Sequence, residues 1–461
     1  MTYALSQFNP NAFSYAKQLI FRTFPFLSKI KLNVRQFAMT LLIALLFNQE
    51  FQLQRRFIVD FRPLTGGFWS EVDNILVHYL RSASTSVTAL NLHLFHGFGA
   101  NGLSWQPVMK LFKRNSVNAV AHDISGFGFN PRIRKIPDES YSPIIYRPLW
   151  NAKASLSFSG ASTSLKEKNG VILMGHSLGS VSSMAAAAAV LSDDIKARES
   201  GRPKRDVTLV LVDPAFSFSP DQLRKSLNKS AVLNEPTTIS TVRVNALETS
   251  LSNIEKVATG VRSSQPLSPT PNRNMLQVCC EFVIKIVKSV LMWPVKIFLR
   301  RLVHLDYFWL KALPVTWGNI NKIKEEDVYR YKLASMAKGF DDDFIRFVLA
   351  QKPSSSGGEG SSFSSSSIVT GVTQVDLLAG LVDLGCRVVI VHGTADHVVP
   401  YSSSERMAAL VQEELSPNGA ERVGSAIELV PLEEFGHVPQ EEDPALFLEK
   451  LSKIGIRLDR S

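Results

Sequence analysis

Residues 171–180, Val171-Ile172-Leu173-Met174-Gly175-His176-Ser177-Leu178-Gly179-Ser180, decide the fold. Four large apolar residues closed off by a glycine form the pattern of a strand buried on both faces. After them, Val181–Leu191 is rich in serine and alanine and predicts a helix, and its alanines at 185–189 are small enough to let it approach a sheet closely. Between strand and helix stands Gly175-His176-Ser177-Leu178-Gly179, a GxSxG pentapeptide. A serine on so sharp a strand-to-helix turn sits in a strained backbone conformation with its hydroxyl presented outward. Small residues two before and two after it let the turn close. The following helix points its N-terminus at the serine and favours negative charge there. GxSxG alone recurs by chance in a long chain rich in glycine and serine, so the flanking strand and helix carry the inference.

Outward from this stretch, short apolar runs alternate with helical ones from Phe57 to about Phe216. Phe57–Leu64 and Val72–Leu80 read as a first pair of strands. Leu90–Phe95, Val117–Ala121, Val171–Met174 and Val207–Val212 follow as mainly apolar runs with Gly, Asp or Pro near their ends. Arg387–Val391 and Ala426–Val430 come late. The expectation is an α/β chain: a doubly wound, mostly parallel eight-stranded sheet with a helical cap inserted between strands six and seven. Residues 56–216 and 373–461 would form the core and 217–372 the cap. Within the insertion, Asp221–Leu227, Met275–Leu310, Glu325–Met336 and Asp342–Leu349 look helical, with Pro294 splitting or kinking the second. Residues 353–367, PSSSGGEGSSFSSSS, cannot build a core and read as a flexible loop. Thr373–Leu384 reads as the helix that returns the chain to the sheet.

A serine nucleophile needs a base, and the chain holds nine histidines. In this architecture the base follows the last strand. His437, in Phe435-Gly436-His437-Val438-Pro439, does so on a loop marked by Gly and Pro. His122 and His392 stand at strand ends and suit packing or hydrogen bonding. The base needs a carboxylate to hold its tautomer and stabilise imidazolium. Asp396 follows the seventh strand in Gly393-Thr394-Ala395-Asp396, and Asp213, after the sixth, is the alternative acid. Glu442 and Asp443 read as a solvated helix start. An oxyanion hole needs two backbone N–H donors. Leu178 follows the nucleophile and offers one; Phe98, in His96-Gly97-Phe98-Gly99 after the third strand, offers the other. His96, Gly97, His176 and Phe127 are the expected substrate-site residues, with the His176 ring turned away from the Ser177 hydroxyl. Asp123 and the Ser125–Gly128 loop read as structural, and Trp105 as a core or cap contact.

Taken together, these residues resemble the α/β-hydrolase superfamily. The motifs are HGF near the third strand, Asp123-Ile124-Ser125-Gly126-Phe127-Gly128 as DxxGxG, GxSxG at the turn, Gly393–Asp396 as GxxD, and Gly436–Glu442 as GHxPQEE. The resemblance covers roughly 86–216 and 373–456, and Leu94–Gly128 is similar to plant and algal hydrolases of uncharacterised substrate. It implies Ser177, Asp396 and His437 as a catalytic triad, with neither metal nor organic cofactor. Relatives that open epoxides or remove halide carry Asp as nucleophile, and Ser177 stands there instead. The expected activity is hydrolysis of a carboxylic ester, lipid-like or otherwise apolar. Thioester or C–C hydrolysis, acyl transfer and a non-hydrolytic ligand sensor are the alternatives.

Composition bounds the rest. An apolar fraction of 45% and a charged fraction of 20% are ordinary for a globular protein. Cys279, Cys280 and Cys386 form neither a disulfide framework nor a metal-ligand spacing. The net charge of +10 is patchy: residues 1–60 and 273–301 each carry +5. Basic residues beside apolar ones point to an anionic membrane surface as partner, and no nucleic-acid module is legible. Residues 1–55 are acid-poor until Glu50 and contain the apolar run Phe37–Phe47. As a helix this run reaches only about 16 Å, against about 30 Å of hydrocarbon. The expectation is a membrane-proximal or organelle-targeting leader, chloroplast or mitochondrial, and not a secreted disulfide-rich chain.

Overall fold

The computed structural model describes residues 66–82 without 74, 90–112, 117–130 without 125, 148–158, 170–199, 205–216, 218, 292–350, 367–369, 372–416 and 426–458. The leader, the strand expected at Phe57–Leu64, the helix at Asp221–Leu227, most of the Gly/Ser tract and Cys279–Cys280 lie outside these residues.

The sheet has eight strands: Phe68–Val72 (β1), Ile75–Ser82 (β2), Leu90–Phe95 (β3), Val117–His122 (β4), Val171–His176 (β5), Val207–Val212 (β6), Arg387–Gly393 (β9) and Glu428–Leu432 (β10). A separate small hairpin joins Ser367–Val369 (β7) to Val372–Thr373 (β8). Strand order across the sheet is β1-β2-β4-β3-β5-β6-β9-β10. β2 pairs antiparallel with β1 and β4, and all other neighbours are parallel. The first pair of strands therefore differs from the expected one: β1 and β2 form a tight hairpin within 68–82. The missed signal is Asp73-Asn74, with Asp73 at φ 50°, a residue type that tolerates the positive φ of a short hairpin turn.

The parallel strands are mainly apolar because both faces are covered. Every residue of β5 is buried, as are all but the first of β9. β3 sits between β4 and β5, so the chain leaves it in one direction and returns on its other side. The carboxyl ends of β3 and β5, where the strand order reverses, are where sheets of this kind generally bind ligands.

Pro148–Phe158 (α1) packs on β4 and on Gly179–Glu199 (α2), which lies against β5 and β6. Met184 and the alanines at 185–188 are buried, and their small size brings α2 close to the strands. Between β6 and β9, where the insertion was expected, runs a long connecting segment. Its described helices are residues 292–304 (α3), Asp306–Ala312 (α4), Glu325–Ser335 (α5) and Phe340–Ala350 (α6). The described part of this segment breaks at Leu305, whose ψ of 120° is extended and precedes an aspartate in the first turn of α4, while the residues before 292, on which the expected kink or split at Pro294 depends, lie outside the described residues. Gln374–Asp383 (α7) opens with a capping box between Thr373 and Asp376. Tyr401–Leu415 (α8) and Pro444–Lys453 (α9) complete the described helices that matter for the site. One core cluster joins Leu173, Met184, Leu209 and Leu211 to Leu378, Ile390, Met407 and Val411. A second cluster gathers Val303, Trp309, Leu313, Trp317 and Val328 of the insertion with Val438 beside the base.

Candidate active site

Ser177 stands at the end of β5 with φ 50°, a left-handed conformation that is strained by about 1–3 kcal/mol for a residue with a side chain. The turn is held by the Ser177 N–H donating to Val212 O (2.9 Å) and by Ser177 O accepting from Ser180 N (3.1 Å) and Ala215 N (3.3 Å). The two flanking glycines are sterically required. A Cβ on Gly175 would lie 2.4 Å from Ser183 Oγ, and one on Gly179 would lie 2.4 Å from Phe95 O.

Loops from three strands converge on this serine. His437 Nε2 lies 3.0 Å from Ser177 Oγ, and His437 Nδ1 lies 2.7 Å from Asp396 Oδ2. A carboxylate facing His437 only accepts, so Nδ1 carries the hydrogen and Nε2 keeps a lone pair for the serine hydroxyl. Asp396 Oδ1 also accepts from the N–H groups of Val398 (2.7 Å) and Val399 (3.0 Å). Burial pushes the Asp396 carboxyl upward, but the close approach of His392, the hydrogen bond from His437 and the attraction of His437 in its protonated form outweigh it and hold the group well below the usual range. The carboxylate is therefore ionised at neutral pH.

Asp213, the alternative acid, is in the same cluster but is not the partner of His437. Its Oδ1 accepts from Gly393 N–H at 2.7 Å, and His437 Nδ1 is bonded to Asp396.

The loop after β3 presses directly on Ser177. A Cβ on Gly97 would meet His176 Nδ1 at 2.8 Å and Ser177 Cβ at 3.0 Å. Phe98 and Leu178, the expected oxyanion donors, thus belong to the two segments that meet at Ser177. The Phe98 ring is 42% exposed, with Phe127 and Phe344 each 5.6 Å from it, centroid to centroid.

Two residues expected at the substrate site do different work. His96 is buried with both ring nitrogens engaged: Nδ1 donates to Gly97 O (2.8 Å) and Nε2 accepts from Ile124 N–H (2.8 Å). It pins the Gly97 loop to the loop after β4 and has no atom left for substrate. His176 Nε2 donates to His437 O at 2.6 Å, and its ring lies 4.9 Å from that of His437. It supports His437 from behind. Burial first, then the nearby His437, lower its pKa to about 3, so it stays neutral. Phe127 is buried behind Phe98. Asp123 accepts from Gly102 N–H and Phe129 N–H (2.6 Å each) and pairs with His78 (3.1 Å). Trp105 is buried in the core.

Glu442 corrects a further expectation. It is buried, and its carboxylate accepts three backbone N–H bonds, from Gly318 (3.0 Å), Asn319 (2.8 Å) and Gly436 (2.9 Å). Its neighbour Glu441 is paired with Arg330 (2.9 Å) and Tyr331 Oη (2.7 Å) of α5. The double glutamate of GHxPQEE thus fastens the insertion to the base loop. Spacing alone could not show this, because the insertion partners lie more than a hundred residues away. In α3, Lys296 pairs with Asp342 and Arg300 with Asp341 (2.9 Å), so part of the basic segment is neutralised within the insertion.

Among the described residues, Asp213, Asp396 and His437 form the one group of three whose ligand atoms lie within 4.8 Å of one another. The 2.7 Å contact between His437 Nδ1 and Asp396 Oδ2 is a hydrogen bond, and an ion between two ligand atoms with bonds of about 2.0–2.2 Å would need them further apart.

The family model described as "Alpha/beta hydrolase family" matches residues 94–450. Similar solved structures include a bacterial membrane phospholipase A, at 15% identity and TM-score 0.43 over 96% of this chain and 99% of that one. A meta-cleavage product hydrolase from Pseudomonas fluorescens is 16% identical with TM-score 0.42, covering 84% and 98%. An esterase from Rhodococcus is 15% identical with TM-score 0.42, covering 84% and 96%. No curated protein matches the chain in sequence. With its family model spanning β4 to β10, the serine turn and the histidine loop, the chain belongs to the alpha/beta hydrolase family.

Proposed function

We propose that this protein is a serine hydrolase that cleaves carboxylic esters with an apolar, lipid-like acyl or alcohol group. The observation that carries the reading is Ser177 at φ 50°, its Oγ 3.0 Å from the unprotonated Nε2 of His437. His437 takes the hydroxyl proton as Oγ attacks the carbonyl carbon. The N–H groups of Phe98 and Leu178 receive the oxyanion. His437 then protonates the departing alcohol, and a water activated by the same nitrogen releases the acid. Asp396, ionised throughout, holds the His437 tautomer and stabilises the imidazolium. The aromatic run Phe127, Phe98, Phe344 supports an apolar substrate. So does the set of exposed apolar residues on α3 and α4, Phe298 (66%), Tyr307 (70%) and Leu310 (54%), which suits contact with lipid. No helix among the described residues is long and apolar enough to cross a membrane.

A fluorophosphonate probe tests the nucleophile. The wild type should label, and Ser177→Ala should not. Equal labelling of the two, or none of the wild type, overturns the assignment. A panel of oxygen esters, thioesters, C–C substrates and acyl acceptors then sorts the reaction, and failure of every ester in a labelled protein overturns the ester reading.

A further inference from the structure

A second carboxyl lies behind the acid of the site. Asp213 follows β6, is fully buried, and adopts φ 43°, a strained conformation for a residue with a Cβ. Its backbone N–H donates to Val391 O (2.9 Å) and its Oδ1 accepts from Gly393 N–H (2.7 Å), so both of its ends are fixed to β9. Its Oδ2 is buried and meets no donor. Asp396 is the opposite case: His437, Val398 and Val399 donate to its two oxygens, and His392 Nε2 stands 3.3 Å from Oδ2.

The surroundings of Asp213 hold no charge to balance an anion. The groups facing it are Asp396 from the loop after β9, His392 at the end of β9, His437 from the loop after β10, and Glu442 beyond it. Among the described residues no lysine or arginine pairs with it. His392 cannot serve as its counter-ion donor. His392 Nε2 donates to Val399 O at 2.9 Å and stands 3.7 Å from Asp213 Oδ1, while Nδ1 is engaged with Ser404 Oγ at 2.7 Å. Two ionised carboxylates side by side in such a place would repel strongly.

We infer that Asp213 is a positioning residue: a neutral carboxylic acid whose Oδ2–H donates to the Asp396 carboxylate and fixes that carboxylate against His437. One proton thereby satisfies the orphaned Oδ2, removes the second negative charge and adds a donor to Asp396. Burial, followed by the charge of Asp396, raises the Asp213 carboxyl well above its ordinary range, in keeping with this state. The inference rests on the reading of Ser177, His437 and Asp396 as the reacting groups. It adds that the acid of the site is a proton-sharing pair, whose second member tempers the pull of the first on His437.

The sign of the effect makes the idea testable. A donor on Asp396 weakens its stabilisation of imidazolium, so it lowers the pH at which His437 becomes protonated. The rate of fluorophosphonate labelling of the full chain, measured from pH 5 to 9, reports that titration. Asp213→Leu removes the donor. It should slow labelling about tenfold or more and move the acid limb to higher pH. Asp213→Asn keeps a neutral N–H donor and should restore both toward wild type. If Asp213 is ionised instead, Asp213→Asn deletes a negative charge near His437 and the limb moves to lower pH, which overturns the inference. An infrared measurement covers the case in which the leucine variant does not fold. At pH 7 the wild type should show a protonated carboxylic acid band that is missing in Asp213→Asn, and its absence from the wild type also overturns the inference. If the wild type does not label at all, the nucleophile assignment falls, while the infrared band still decides the protonation of Asp213.

Discussion

The backbone N–H of His437 donates to the carbonyl oxygen of Thr316 at 2.7 Å. His437 is therefore held by the segment between β6 and β9 as well as by the sheet. A Cβ on Gly436 would meet Gly318 N at 2.2 Å, and one on Gly318 would meet Glu434 O at 2.3 Å, so the two loops lie backbone against backbone. This contact places residues 316–319 in the wall of the site.

Glu442 is the fastener of that contact, accepting N–H bonds from both loops. Glu442→Ala leaves three donors without their acceptor. It should lower stability by about 1–3 kcal/mol or more and reduce kcat more than it raises KM, because the base loses its anchor. Thermal melts and ester kinetics check this. A melt and rate equal to wild type would show that the loops hold without it.

Gly97 carries the closest approach of the β3 loop to the nucleophile. Gly97→Ala would press on His176 Nδ1 and Ser177 Cβ, both rigidly held. The loop must retreat and carry the Phe98 N–H with it. Loss of one oxyanion donor is worth on the order of 10²–10³ in rate, so kcat should fall by that order with KM little changed. Steady-state kinetics on any accepted ester measures it.

Phe344 of α6 stands over Phe98, with ring centroids 5.6 Å apart. Removing its ring should weaken the grip on a long apolar group and leave short substrates alone. The ratio of kcat/KM for an octanoate ester to that for an acetate ester should drop roughly tenfold in Phe344→Ala, a change of about 1.4 kcal/mol. An unchanged ratio would remove α6 from substrate recognition.

Three histidines are buried away from any reacting group or behind it. Burial lowers the pKa of His93 to about 4 and of His122 and His176 to about 3, from 6.5. Their folded values are depressed, and for a base this means the unfolded chain binds the extra protons. Their contribution is fully present above pH 6.5 and is lost as pH falls toward 4 and then 3. Each adds up to about 1.4 kcal/mol per pH unit across that window. Urea midpoints should therefore fall steadily from pH 7 to pH 5, and His93→Asn, which can still bond Ser155, should flatten the slope.

Much of the sheet was legible because its strands are buried on both faces. Val171–Met174 carries no polar interruption and Val207–Val212 only Thr208, a β-branched residue that suits a strand, so their pattern admitted little else. Local geometry was legible too: the glycines around Ser177, the helix beginning at Thr373, and the Ser–Asp–His order along the chain. The hairpin at 68–82 was misread because Phe68–Val72 mixes Ser and Glu with apolar residues and looks like loop beside Gly66-Gly67.

What remained hidden depends on partners distant in sequence. His96 reads as a substrate residue until Ile124 is seen on its Nε2. Glu442 reads as a solvated helix start until Gly318 and Asn319 arrive from the insertion to cover it. Asp213 and Asp396 stood as rivals for one role, and only the fold puts both carboxyls around the same histidine. The chain by itself determined the strands, the strained serine turn and the residue types of the site, since these follow from local backbone sterics and burial. Tertiary structure alone decided which carboxyl touches His437, which histidines have spare nitrogens and what walls the site, because hydrogen bonding depends on neighbours that periodicity does not encode.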